Sequence, residues 1–338
     1  MGTCCVEPSQ KNQPIQNFQN MSNNTLIKIS KKKPASSKKE KNQDKNQYIL
    51  PKINKNIKRG EIPKNFKFCK HLAEGATSTV LKYESFKGEK FAIKRIFKEN
   101  IKQSRINNII KECELSFNLM NKNIIRTYEI YEDLIYINIV MELGDYDLQE
   151  FINIFPSDNI PDDLIIMFLI QIFESIVYLH NNNIIHCCII PENYLLKFEK
   201  HPSMIPKFKE VTLKLIGFGN VMNKPLNNQK LHEFSSAKGF LAPEILENSG
   251  FNEKIDEWGA GIIMYSLLTR KNPFESKNDI EYRNNIRFKK INFDLIKNQE
   301  LRELNKKLLN RFADQRIDVK EALSEIKKIE KNLKSNSI

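Results

Sequence analysis

Short β-like runs, in which apolar residues are interspersed with polar ones, mark the first half of the body of this chain. The runs at residues 66–72, 79–83 and 91–96 predict three β-strands. Apolar residues then recur at helical spacing from Ile106 to Met120, which predicts a helix. Strand-like runs follow at 128–131 and 135–143. The pattern therefore predicts a β-rich unit with one helix.

The remainder of the chain, from Pro161 to about residue 332, is predicted to be mostly helical. Its most apolar stretch, residues 164–179, is interrupted by polar side chains, and its large apolar residues recur at helical spacing. We interpret this stretch as a buried core helix and not as a membrane span. The predicted fold class is α+β, with a short C-terminal tail at 333–338.

Charge divides the chain near residue 66. Residues 1–66 contain 14 Lys and Arg against 4 Asp and Glu, a net charge of +10, whereas the rest contains 40 against 37. The basic segment is rich in Ser, Asn and Gln and has few large apolar residues, so burial cannot offset the entropy lost on ordering it. We predict a disordered basic tail over residues 1–66.

The first residues of the chain are candidates for acylation. Removal of Met1 exposes Gly2 for N-myristoylation, and Cys4 and Cys5 are candidates for palmitoylation, although Val6 stands where the myristoylation motif has Ser or Thr. A second lipid chain or a polybasic patch makes such anchoring stable. Six cysteines without a cleavable secretory segment favour a reducing compartment. We expect a cytoplasmic protein attached peripherally to an anionic membrane surface.

Four short motifs follow one another along the body of the chain. Residues 91–94 read FAIK, residues 186–193 read HCCIIPEN, residues 216–219 read IGFG, and residues 242–244 read APE. Their order over residues 67–330 resembles the eukaryotic protein kinases, and most closely the calcium/calmodulin-dependent group. The resemblance implies a two-lobed protein-kinase-like domain at 67–332, with a β-rich lobe at 67–143 and a helical lobe at 148–332. The hinge is expected near residues 142–147.

The resemblance also implies a set of nucleotide-binding positions. Lys94 would grip the α and β phosphates and pair with Glu112, while apolar side chains would enclose the adenine next to the hinge. Residues 72–80 read LAEGATSTV where the family has GxGxxGxV, so only the middle glycine remains. We expect ATP to bind without a metal; the alternative is that Lys94 and Glu112 form only a structural ion pair. The implied positions are Gly75, Val80, Ala92, Lys94, Glu112, Met141, Glu142, Leu143, Asn193 and Leu195.

Other positions that match the family are implied to be structural. Arg316 would pair with Glu244 in the helical lobe, and the remaining three would form a buried framework beneath the catalytic loop. These three are His186, Phe218 and Asp256. We assign no role to His180.

The residues that phosphoryl transfer needs are replaced. Cys188 stands at the position of the catalytic base, Ile190 at that of the loop lysine, and Gly217 at that of the metal-binding aspartate. A thiol with an ordinary pKa near 8.5 is not a carboxylate, and general-base catalysis alone contributes roughly 10²- to 10⁴-fold. Asn193 is the one metal ligand that matches, and a neutral amide by itself cannot hold Mg²⁺. We therefore predict no intact catalytic residue and no metal site.

The replaced residues and the basic tail lead to three functional hypotheses. The first is a pseudokinase that works without turnover as a membrane-tethered scaffold or allosteric partner of other signalling proteins. The second is an unconventional, weakly active Ser/Thr kinase in which Glu192 or another carboxylate substitutes. The third is a nucleic-acid-binding protein that uses the basic tail, although aromatic residues for base stacking are sparse there.

Overall fold

The computed structural model describes most of the chain from Ile49 onwards. The described residues are 49–50, 57–75, 77–102, 105–155, 159–198, 211–225, 231 and 240–336. Gly2, Cys4, Cys5 and most of the basic tail lie outside this part of the chain. The described residues form the two lobes that the motif order implied, and the fold is α+β.

The small lobe is built on a six-stranded sheet with the order β1-β5-β6-β4-β3-β2. Strand β1 runs parallel to β5, and all other neighbours in the sheet are antiparallel. Lys94 lies on the central strand β4, between Val80 on β3 and Ile139 on β6. The strands are β1 (Ile57–Arg59), β2 (Phe66–Glu74), β3 (Ser78–Ser85), β4 (Lys90–Phe97), β5 (Thr127–Glu132) and β6 (Tyr136–Glu142).

Helix α1 (Ile106–Asn118) packs against this sheet through Ile109 and Cys113, which join a cluster of isoleucines from β4, β5 and β6. The predicted extension of the helix to Met120 was wrong. Leu119 leaves helical geometry for an extended conformation and is buried in the core of the large lobe, while Met120 is 77% exposed. The helix therefore ends at Asn118, because the next apolar residue, Leu119, packs in the core of the other lobe.

The large lobe is mostly helical, as predicted. Helices α3 and α5 lie at its centre; the residues of α5 from Ile255 to Leu267 are all buried. The helices are α2 (Leu148–Ile154), α3 (Asp162–Asn181), α4 (Pro243–Leu246), α5 (Lys254–Thr269), α6 (Asp279–Phe288), α7 (Gln299–Leu308) and α8 (Val319–Asn336).

Short strands on the large lobe were missed by the sequence analysis. β7 (Tyr146–Asp147), β9 (Tyr194–Phe198) and β10 (Val211–Leu215) form one small sheet, and β8 (Ile184–Ile185) pairs with β11 (Met222–Asn223). In β10 every second residue is buried, so the alternation in residues 211–215 was a usable signal. The small sheet positions the two loops that carry the HCCIIPEN and IGFG motifs.

Helix α3 is the one helix of the described residues that is long and apolar enough to cross a membrane. Such a helix is weak evidence for a span, because core helices of soluble proteins pass the same test. In this structure 61% of its most apolar window is buried inside the lobe. Its large side chains, among them Phe168 and Phe173, are fully buried in the main core.

Two boundaries differ from the predicted ones. Residues 57–59, assigned to the basic tail, form strand β1 and pair with β5. At the other end, α8 continues to Asn336, beyond residue 332. The strand was not apparent because its stability comes from pairing with a partner more than 70 residues away and not from its own composition.

Candidate functional site

The glycine-containing turn between β2 and β3 closes through its backbone. The amide of Gly75 donates to the carbonyl of Ser78 at 2.8 Å, and Gly75 is exposed. Beyond the turn, Val80 on β3 is half-buried, and Ala92 on β4 is buried opposite Met141 on β6. The implied apolar positions of the small lobe thus lie on adjacent strands.

Lys94 and Glu112 meet across the sheet–helix interface. The Lys94 Nζ lies 2.5 Å from Glu112 Oε1, and both side chains are mostly buried. A cavity of about 30 Å³ lies beside the pair, lined by Thr77 and Ser78 of the turn and by Gly219 of the large lobe among others. This volume accommodates about one water molecule. The two residues that the motif analysis paired are in contact, and their charges compensate each other.

The hinge is held by lysines from the small sheet of the large lobe. Lys214 on β10 forms an ion pair with Glu142 at 3.1 Å, and the Nζ of Lys197 on β9 donates to the carbonyl of Leu143 at 2.9 Å. Gly144 follows, and a Cβ on it would lie 2.7 Å from the Cβ of Leu195. The hinge backbone therefore lies directly against the implied adenine-contacting residue, which only glycine permits. Sequence reasoning missed both lysines, which carry no motif.

Asp256 organises the start of the catalytic-loop motif. Its carboxylate is fully buried and accepts hydrogen bonds from the backbone amides of His186 at 2.8 Å and Cys187 at 2.9 Å. It also lies 2.9 Å from Nε2 of His180. Burial by itself would lower the pKa of His180, but the hydrogen bond to Asp256 and the negative charges of Asp256 and neighbouring glutamates together raise that pKa. His180, to which the sequence analysis gave no role, is thus part of this framework.

His186 is a structural residue in this geometry. It is fully buried, its Nε2 lies 3.0 Å from the carbonyl oxygen of Ile216, and its ring packs edge-on against Phe218 with 5.4 Å between centroids. Burial lowers the pKa of His186, which favours the neutral imidazole. The side chain ties the catalytic-loop motif to the IGFG motif.

Cys188, at the position where the resemblance implies a catalytic base, lies within an apolar cluster. Cys188 is only 2% exposed and packs with Ile190, which is 4% exposed, and with Phe240 from the segment before the APE motif. The neighbouring Cys187 is also buried, and burial raises the pKa of its thiol. Phe240 was not singled out from the sequence. A group in this place is shielded from solvent and from an incoming hydroxyl.

Gly217 stands against the side chain of Asn193. Its φ is +91°, and a Cβ at this position would lie 2.8 Å from Asn193 Oδ1. The Asn193 Nδ2 donates to the carbonyl of Cys188 at 2.9 Å, which fixes the amide in place. No carboxylate is contributed by residue 217, and the amide of Asn193 fills the space that a side chain there would take.

The donor set of this region does not suit Mg²⁺. Hard cations need several oxygen ligands, and carboxylates supply the charge. Among the described residues, no group of three or more His, Cys, Asp or Glu side chains could hold a metal ion. Glu192 is the carboxyl closest in sequence to Asn193, but burial raises its pKa and so favours the neutral form. The described residues around Asn193 therefore do not supply the set of charged oxygen ligands that a magnesium ion needs.

Glu244 and Arg316 form a bidentate ion pair in the large lobe. Nη1 and Nη2 of Arg316 lie 2.8 Å and 3.0 Å from the two carboxylate oxygens of Glu244. The guanidinium also lies over the ring of Trp258, 5.0 Å from its centroid, and donates to the carbonyl of Asn310 at 3.0 Å. The pair connects α4 to the loop before α8.

Known proteins match most of the chain. Residues 66–326 match the protein kinase domain family. A probable serine/threonine-protein kinase of Encephalitozoon cuniculi is 28% identical over 258 residues, which is 76% of this chain and 43% of that protein. Calcium-dependent protein kinase 4 of Plasmodium falciparum is 29% identical over 266 residues, 76% of this chain and 48% of that protein. The chain spans less than half the length of these two relatives.

Proposed function

The chain belongs to the protein kinase family, and from this premise we propose that it is a pseudokinase, a member that keeps the fold without transferring phosphate. Two residues carry the proposal. Cys188 stands where the base is expected, and Gly217 stands where the metal-binding carboxylate is expected. Phosphoryl transfer depends on positioned phosphates and on metal ions that neutralise developing charge. A protein without these groups acts on signalling partners by binding.

The surroundings of both positions support the proposal. Cys188 packs with Ile190 and Phe240, and the space beside Gly217 is occupied by the Asn193 amide. A base must come within hydrogen-bond reach of the hydroxyl that it deprotonates. The site would need rearrangement of an apolar cluster as well as new carboxylates before it could work in the usual way.

We also propose that ATP binds without a metal. The Lys94 ammonium, held by Glu112, would attract the phosphates, and the apolar Val80, Ala92 and Leu195 would enclose the adenine. Active members of the family use ATP as the phosphate donor. In this chain the residues would only bind and orient the nucleotide.

We expect saturating ATP to raise the melting temperature of the full chain by the same amount with Mg²⁺ and with EDTA. At about 100 times Kd the gain is roughly 2.7 kcal/mol, which corresponds to about 5 °C for a domain of about 260 residues. Lys94→Ala should abolish the shift because it removes the cation next to the phosphates. Thermal denaturation followed by circular dichroism makes the measurement.

Lys90→Ala is the matched control, since Lys90 lies on the same strand but is exposed. It should keep the ATP shift. A shift that appears only with Mg²⁺ would contradict metal-free binding and point to substitute carboxylates. No shift with either would remove the nucleotide from the proposal and leave a pure scaffold.

The second candidate is a weakly active Ser/Thr kinase, which is favoured by the names of the relatives. We expect transfer of labelled phosphate to protein substrates to stay at background with either Mg²⁺ or Mn²⁺. Loss of the general base alone lowers the rate by roughly 10²- to 10⁴-fold. Transfer that disappears in Glu192→Gln would establish this candidate and overturn the pseudokinase proposal.

We propose further that the protein is attached to a membrane through acylation of Gly2, Cys4 or Cys5 together with the basic tail. Wild-type protein should incorporate myristate and palmitate analogues in cells and sediment with membranes, whereas Gly2→Ala should lose the myristate label. Salt-sensitive binding to anionic vesicles, without binding to RNA, would separate this attachment from the nucleic-acid hypothesis. An unlabelled, wholly soluble wild type would contradict it.

A further inference from the structure

A carboxylate is fully buried at the edge of the small lobe, away from the nucleotide site. Glu132, the last residue of β5, is 0% exposed. Burying a charge is costly unless partners compensate it. Lys98 Nζ lies 3.2 Å from Glu132 Oε1, and Arg59 forms a second ion pair with Oε2. The two cations come from different strand ends, and one of them precedes the predicted kinase-like domain.

The remaining donors come from residues still further upstream. The backbone amides of Ile49 and Leu50 donate to the two oxygens of the Glu132 carboxylate at 2.5 Å and 3.1 Å. The carbonyl of Leu50 in turn accepts from Nη2 of Arg59 at 2.5 Å. The carboxylate therefore binds a piece of chain through its backbone, as a receptor binds a peptide.

Strand β1 continues this attachment. Ile57, Lys58 and Arg59 pair in parallel with Ile130, Tyr131 and Glu132, and Lys58 forms an ion pair with Glu129. The amide of Gly60 then donates to the Glu132 carbonyl at 2.9 Å. We call Ile49, Leu50 and residues 57–59 the clasp.

The clasp also contacts the helix that carries Glu112. Leu50 is only 3% exposed and joins the apolar cluster of Ile109 and Cys113 on α1. These two residues lie on the turn of the helix that presents Glu112 to Lys94. On the large-lobe side, α1 is tied by Lys111, whose Nζ donates to the carbonyl of Val221 at 3.3 Å. Helix α1 is thus contacted by the clasp through Leu50 and by the large lobe through Lys111.

We propose that the small lobe has a docking site for the clasp, centred on Glu132 and α1, and that its occupation holds Glu112 in contact with Lys94. The occupant is a segment of this chain. Its backbone amides bind the Glu132 carboxylate, and its Leu50 side chain packs in the apolar cluster on α1. Since the clasp lies in the last part of the basic segment 1–66, it connects that segment to the ion pair of the nucleotide site. The part of this inference that concerns ATP rests on the proposed function.

Hydrogen exchange of the α1 amides in the full chain tests the proposal. Leu50→Ala should speed exchange across α1 by about tenfold or more, because it removes a buried contact with the helix. The matched control is Leu309→Ala, which removes a leucine of similar exposure, 4%, from the core of the large lobe. It should leave α1 exchange within about twofold of wild type.

Glu132→Gln is the second variant, since it keeps the shape of the side chain and removes the charge. It should speed α1 exchange in the same direction. The proposal would be overturned if the α1 amides of both Leu50→Ala and Glu132→Gln exchanged at the wild-type rate. It would also be overturned if Leu309→Ala accelerated α1 exchange as much as Leu50→Ala does. The ATP-induced thermal shift of the same proteins should fall with the clasp variants only. If wild type shows no such shift, metal-free ATP binding fails, while the exchange measurement still decides on the clasp.

Discussion

Replacement of Arg316 by methionine is expected to lower the free energy of unfolding by about 3–5 kcal/mol. The guanidinium is fully buried, and its loss leaves the Glu244 carboxylate, 7% exposed, without its bidentate partner. It also removes the donor to the Asn310 carbonyl and the cation over Trp258. Equilibrium urea unfolding of the full chain, followed by tryptophan fluorescence, provides the measurement, because Trp258 is the only tryptophan of the chain.

A double-mutant cycle separates the lost pair from the stranded charge. Glu244→Gln combined with Arg316→Met should cost less than the sum of the single changes, since no unpaired carboxylate remains. Lys306→Met is the surface control, because Lys306 and Glu303 are both exposed, and it should cost at most about 1 kcal/mol. A cost below about 1 kcal/mol for Arg316→Met would show that the buried pair does not stabilise the lobe.

Returning a carboxylate to position 217 is expected to destabilise the protein and not to create a metal site. Gly217 has a φ of +91°, which costs a non-glycine residue about 1–3 kcal/mol. A Cβ there would also meet the Asn193 amide at 2.8 Å, and overpacking of this kind adds about 1–3 kcal/mol. Gly217→Asp should therefore lower the free energy of unfolding by about 2–6 kcal/mol. Urea unfolding, and the melting temperature with ATP in the presence and absence of Mg²⁺, are the measurements.

Gly88→Asp isolates the backbone part of this cost. Gly88 has a similar φ of +80°, but nothing lies within 4 Å of a Cβ built on it. The difference between the two variants then reports the contact with Asn193. If Gly217→Asp is no less stable than Gly88→Asp and gains Mg²⁺-dependent stabilisation by ATP, the site is one substitution from metal binding and the packing argument is wrong.

Residues that match the family in this chain are mainly those on which packing depends. Asp256 satisfies two backbone amides and lies beside His180, and Arg316 neutralises Glu244. Removing either group would leave buried polar atoms unpaired, which is costly for any folded protein whether or not it turns over. Cys188 and Ile190 pack in an apolar cluster, and Gly217 accommodates the Asn193 amide, so the fold does not depend on a carboxylate or a lysine at these positions.

Much of the architecture followed from local patterns. Short runs of strand-forming residues located the strands of the small lobe to within a few residues. Helical spacing of large apolar residues identified α3 as a core helix. The failures were at places where a distant partner decides the outcome. Helix α1 ends early because Leu119 is needed in the other lobe, and β1 exists because β5 offers an open edge.

Some residues of the candidate site could be identified from the sequence, and others could not. Motif order along the chain was sufficient to pair Lys94 with Glu112 and Glu244 with Arg316, and the structure brings both pairs into contact. It could not identify the hinge lysines Lys197 and Lys214, whose positions depend on a small sheet that the analysis missed.

The sequence by itself determined the α+β fold class and the order of the motifs, because local periodicity distinguishes strands from helices and because each motif is a short run of adjacent residues. Only the tertiary structure decided that Cys188 is enclosed by Ile190 and Phe240, and that Glu132 binds the clasp. Burial and hydrogen bonding of this kind join residues from about 50 to 80 positions apart, and no local pattern encodes such contacts.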